Sequence, residues 1–167
     1  MKTMRRLRRA FSCAAVASAA VLTGPSVAQD LDWNVYWDEE HGCRLDYPQA
    51  LFVMDPEQPG EPQRFSGSEE SIYFRVMGAK NTSKWTPEEI KDKYLRANMP
   101  GDITYQRTRE EFLVLSGYRD DAIFYTKVAV SDDQRIACIL DITYPRSAKE
   151  DFDSIVTRMS RSFRVVR

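Results

Sequence analysis

An α+β fold built on a largely antiparallel sheet follows from three observations. Several runs between residues 33 and 144 alternate apolar and polar side chains with the two-residue period of a strand. Short polar turns join many of them, leaving little room for the crossovers a parallel sheet needs. Only two segments carry helix-start signals, one in the middle of the chain and one near its end.

The first segment precedes the fold. Arg5, Arg6, Arg8 and Arg9 lead into an apolar stretch from Ala14 to Leu22, and Ser26-Val27-Ala28 supplies small residues for cleavage. That is the pattern of an export signal. The chain then divides into a signal peptide, 1–28, and one α+β domain, 29–167. Arg8-Arg9-Ala10-Phe11 resembles the twin-arginine motif, and a general secretory (Sec) signal fits the same residues, so both routes stay open. Cys13 lies ahead of the apolar stretch, the wrong side for lipidation. The expected location is periplasmic or secreted.

Trp33 to Asp38 reads as a strand with Trp33, Val35 and Trp37 on one face. Glu39-Glu40-His41-Gly42 is a turn, and Cys43 to Tyr47 alternates again before Pro48. A short strand within Leu51 to Met54 follows. Asp55 to Ser71 is rich in proline, glycine and polar residues, a surface loop with a strand near Arg64-Phe65. From Ser71 to Ala79, Ile72, Phe74 and Val76 oppose Tyr73, Arg75 and Met77.

Thr86-Pro87-Glu88-Glu89 opens the middle helix: Thr86 caps, Pro87 needs no N–H partner, and Glu89 completes a capping box. Ile90, Tyr94 and Ala97 form its buried stripe, ended by Pro100-Gly101. Ile103 to Arg107 and Phe112 to Leu115 read as strands, with Ser116-Gly117 turning the chain out of the second. Ala122 to Val130 and Arg135 to Tyr144 form a hairpin around Ser131 to Gln134. Apolar residues on both faces of its second arm predict a central strand covered, at least in part, on both sides. Pro145 stops that strand, and Ser147 to Glu150 form a second capping box. Phe152, Ile155, Val156, Met159 and Phe163 then mark a helix face suited to packing on a sheet.

The chain holds 24 Lys+Arg and 25 Asp+Glu, and five of the basic residues lie in the leader. The mature segment is therefore acidic, which argues against a general nucleic-acid binder. No later run approaches the ~18–20 apolar residues that span a bilayer. Past the leader only Cys43 and Cys138 remain, and in an oxidising compartment they are expected to form a disulfide.

Gly42-Cys43-Arg44-Leu45-Asp46-Tyr47-Pro48, the middle helix, the long hairpin and a last helix ending Ser162-Phe163-Arg164 together resemble the PsbP-like family. Cys43 stands where relatives often carry an aromatic residue. The resemblance implies an antiparallel sheet sandwiched by helices and a non-enzymatic binding or assembly role. It transfers no ligand residues, because the metal sites proposed in the plant subunit use histidines this chain lacks.

The residues themselves offer few sites. His41 is the only histidine, so a Ser-His hydrolase would need it to meet Ser116, and no Gly-x-Ser-x-Gly elbow is present. Acidic residues are too many for any spacing to select a glycosidase pair. Asp38, Glu39, Glu40 and His41 offer oxygen and imidazole ligands for a divalent metal, although successive side chains in a tight turn diverge. Trp33, Tyr36, Trp37 and Trp85 suggest an aromatic platform, but Tyr36 alternates away from its neighbours. Arg158, Arg161, Arg164 and Arg167 recur every three residues and could meet lipid head groups or an acidic partner; as cations near a helix end they also complement the macrodipole. No cofactor is implied. The expected protein binds another envelope component or a membrane surface and catalyses nothing.

Overall fold

The computed structural model describes residues 31–95 and 101–166. The expected leader with Cys13, the Tyr94 side chain, Ala97 and Arg167 lie outside the described residues. The strands are β1 (Trp33–Trp37), β2 (Cys43–Pro48), β3 (Val53–Met54), β4 (Gln63–Ser66) and β5 (Tyr73–Lys80). Helix α1 (Pro87–Ile90) runs into a π-helical turn, Lys91–Leu95. Then come β6 (Asp102–Thr108), β7 (Phe112–Arg119), β8 (Ala122–Val130), β9 (Ile136–Pro145), α2 (Lys149–Ser162) and β10 (Arg164–Val165).

Two antiparallel sheets result: a small one ordered β1-β2-β10, and a large one ordered β3-β4-β5-β9-β8-β7-β6. The alternation of β9 places it centrally, as its sequence predicts. Ile136, Cys138, Leu140 and Ile142 meet the small sheet and α2, while Ala137 and Ile139 join Ile90, Leu113, Leu115, Phe124 and Val128 beneath α1. Asp141, beyond the reach of α1, instead accepts from Thr126 at 2.7 Å and pairs with Arg75 at 3.6 Å. The cover on that face is partial, as expected.

The main core lies between the large sheet and a layer made of the small sheet and α2. Leu45 and Tyr47 of β2 pack with Phe65 and Phe74, whose rings stack at 4.2 Å, and α2 adds Phe152, Ile155, Val156 and Met159. Cys43 and Cys138 are bridged, with Cα atoms 5.8 Å apart, so a covalent link crosses this core from the small sheet to the central strand. The fold is thus α+β with the disulfide the sequence predicts.

Several local expectations need correction. The strand containing Ser116 does not turn at Ser116-Gly117 but runs on to Arg119. A Cβ at Gly117 would strike the Asp102 carbonyl, so this glycine serves close approach to β6 rather than a bend. The Thr86 capping box forms as predicted. Ser147 makes no such cap, because a 3₁₀ turn at Arg146–Ala148 feeds α2 directly and Ala148 takes the cap position. Pro145 is the last residue of β9, where the sequence places the end of that strand.

At its other end α2 is held by Lys127 of β8. This nearly buried side chain donates to the carbonyls of Ser160 at 2.7 Å and Phe163 at 2.9 Å, closing two of the orphan acceptors at a helix C-terminus. Burial pulls its pKa down to about 8, while the carbonyls and the negative helix end favour the ammonium form.

Candidate functional site

The β1–β2 turn is built around Asp38. Its Oδ1 accepts from the backbone N–H of Glu40 at 2.9 Å and of His41 at 3.2 Å, and its Oδ2 faces His41 Nδ1 at 3.1 Å. Glu40 approaches the other ring nitrogen at 3.7 Å, and Glu39 is exposed. Asp38 is thereby committed to shaping the turn, as short acidic side chains in turns are. Among the described residues no three His, Cys, Asp or Glu side chains form a metal-ligand group, so the four predicted ligands are not brought together. The turn rests on Gly78 of β5, where a methyl would collide with Asp38 and His41. Gly78 pairs with Cys138, so turn and disulfide share one seat.

Ser116 and His41 are also kept apart. Ser116 Oγ donates to the Phe124 carbonyl at 2.9 Å on β7, whereas His41 sits over β5. Strands β9 and β8 intervene, three steps of roughly 4.8 Å each, so no nucleophile–base contact exists between them. This overturns the Ser-His pairing for a geometric reason.

The arginines predicted as one stripe divide between two elements. Arg158 and Arg161 lie on α2, but the helix ends at Ser162 and Arg164 belongs to β10. Their company is more informative than their spacing. Trp37, Arg44 and Arg164 occupy one cross-strand row on the outer face of the small sheet, by the register Trp37↔Arg44 and Arg164↔Arg44. Val35 and Asp46 form the next row, and Trp33 ends the face. Arg44 and Asp46 pair at 3.0 Å, and the Arg158 guanidinium lies 4.0 Å from the Trp33 ring centroid. Val35 is 48% and Trp37 44% exposed. Sequence alternation placed Trp33, Val35 and Trp37 together; what it could not supply was the pair of arginines that β2 and β10 set beside them.

Tyr36, on the inner face, instead meets Phe65 edge-on at 5.2 Å; burial, then the charges of Asp38 and Glu57, push its hydroxyl up to about 12. Trp85 is half-buried against the second core with Lys93 5.0 Å from its ring. The four aromatic residues therefore make no single platform.

A groove of about 420 Å³ lies on the other flank of α2, between the helix and strands β6 and β7. Its walls include Tyr105, Tyr118, Tyr125 and Tyr144, four residues on four different strands, with Lys149 and Asp153 from α2. No sequence pattern marks this set, because its members meet only through strand pairing.

No family model matches the chain, and no curated protein does. Solved structures do resemble it. The solution structure of cyanobacterial PsbP from Synechocystis sp. PCC 6803 aligns with a TM-score of 0.60 at 13% identity, covering 89% of this chain and 98% of that one. A mutant of protein Mog1 gives 0.56 at 9% identity, over 80% and 96% of the two chains. The Saccharomyces cerevisiae Ran-binding protein Mog1p gives 0.55 at 11% identity, over 82% and 97%. At these identities the likeness is one of architecture: the chain has a PsbP/Mog1-like fold.

Proposed function

We propose that this protein is an exported, non-enzymatic binding module that meets an acidic protein of the cell envelope through the outer face of its small sheet. The observation that carries this reading is the row of Trp37, Arg44 and Arg164 beside half-exposed Val35. Aromatic and arginine side chains supply most of the energy at protein interfaces, and Asp46 is the one carboxylate in the paired rows of this face. A face of that kind on an otherwise acidic chain attracts a negatively charged partner and orients it.

Two further points support the reading. The only histidine of the chain is bound up with Asp38, remote from Ser116. Mog1p, which shares the architecture, is named for binding Ran, a use of this fold in protein recognition. Export rests on the arginine-led apolar leader at residues 1–28 and agrees with a disulfide that an oxidising compartment would preserve.

Cross-linking of the disulfide-bonded protein in envelope extracts tests the proposal. A specific adduct is expected, weakened at least tenfold by Trp37→Ala or by Arg164→Glu and unchanged by Ser116→Ala. An adduct indifferent to both face variants would overturn it, as would binding to anionic lipid vesicles with no protein adduct.

A further inference from the structure

We infer that the groove beside α2 is a binding site for a neutral carbohydrate, recognised by its four tyrosines. The groove is separate from the arginine-bearing face: Lys149, Asp153, Val156 and Thr157 turn to it from α2, while Arg158 turns to Trp33.

The lining matches a sugar ring in three respects. Its surface combines aromatic rings and the apolar side chains of Ile123 and Val156 with phenolic and aliphatic hydroxyls. Sugars present C–H faces to the former and hydroxyls to the latter, and a small number of placed polar groups fixes orientation in such sites. Its only charged groups, Lys149 and Asp153, are hydrogen-bonded to each other at 2.5 Å. A neutral ligand leaves that pair intact, whereas an anion or cation would have to compete with it. The tyrosines are also held in place. Tyr144 stacks on Phe152 at 5.0 Å, Tyr118 lies under the Arg146 guanidinium at 4.1 Å, and the Tyr125 hydroxyl bonds to Ser160 Oγ at 2.5 Å. Tyr105 is 51% exposed at the rim, where its ring is accessible to a ligand.

An independent feature shows that the rim is built. The pairing of β6 with β7 shifts register between Ile103 and Tyr105, and both Thr104 and Tyr105 line the groove as a result. Bulges re-aim side chains in this way. Gly101 and Gly117 permit the crowding, since a Cβ at either would strike a carbonyl of the neighbouring strand. The same bulge interrupts the outer edge of β6, which disfavours an added peptide strand as the occupant. Burial, then the charge of Asp153, pushes the Tyr144 hydroxyl up to about 12, and burial raises that of Tyr125.

The test is an NMR titration of the disulfide-bonded protein with chitotriose, cellotriose and maltotriose in turn. Saturable shifts are expected for the amides of Thr104, Tyr105, Gly117 and Tyr118 with at least one trisaccharide. Tyr105→Ala should weaken that binding at least tenfold, Tyr105→Trp should retain it, and Trp37→Ala should leave it unchanged. No saturable shift at millimolar concentrations of any of the three would overturn the inference. So would equal binding by Tyr105→Ala, or saturation of the same amides by an oligoproline peptide in preference to every sugar.

Discussion

Gly78 shows how much a single missing methyl group can hold together. It lies in the middle of β5, opposite Cys138, and supports the Asp38–His41 turn of a different sheet. Gly78→Ala should destabilise the protein by about 1–3 kcal/mol, the usual range for overpacking a tight contact. Urea denaturation at neutral pH measures it, and an unchanged midpoint would show that the turn yields freely. The sequence could not have revealed this role, because a glycine inside an alternating run reads as a weakness of the strand. Gly117 is obscured in the same way, since beside Ser116 it reads as a turn, whereas its lack of a side chain admits the backbone of β6. Cys43, Cys138 and the inward residues of β9 were legible because chemistry or strict alternation left them one role. The tyrosines of the groove were not, being spread over four strands with no spacing to relate them.

Among the elements, α2 depends most on a partner distant in sequence. Its apolar face was plain from the spacing of Phe152, Ile155, Val156 and Met159, yet its termini were not: a 3₁₀ turn replaced the expected cap at one end and Lys127 supplied acceptor satisfaction at the other. Arg164 parts from Arg158 and Arg161 for a related reason, since helical spacing stops mattering where the helix stops. Lys127 gives the element a dependence on pH. Its folded pKa, about 8, lies below the ordinary lysine value of 10.5, so between those values the unfolded chain holds more protons. Stability therefore rises as pH increases through that window, and the unfavourable contribution is full below about 8. Stability should increase by about 1–2 kcal/mol from Lys127 between pH 8 and 10, and Lys127→Met should abolish that slope. Above pH 10 the trend reverses. Tyr36 and Tyr144, held protonated to about 12, then bind more protons folded than unfolded. Denaturation midpoints of both proteins across this range decide the matter, and parallel slopes would refute the assignment.

For the whole molecule, the bridge between β2 and β9 fastens the small-sheet layer to the large sheet and closes a loop with a sequence separation of 95. A loop of that size removes enough freedom from the unfolded chain that reduction should lower stability by about 2–5 kcal/mol. Calorimetry with and without reductant measures the loss, and equal unfolding temperatures would show that packing alone sustains the two layers. The general architecture could be read in advance because period-two runs, short turns and two helix starts all agreed; the sheet order could not, since β10 returns from the far end of the chain to pair with β2. That return has a mechanical consequence. If opposite ends of the described chain were pulled apart, the two-residue pairing of β10 would peel early, and tension would then pass through the sulfur atoms. The polypeptide between them, which carries β2 to β8, would stay slack, so stretching would lengthen only the flanks while those strands remained shielded from the load.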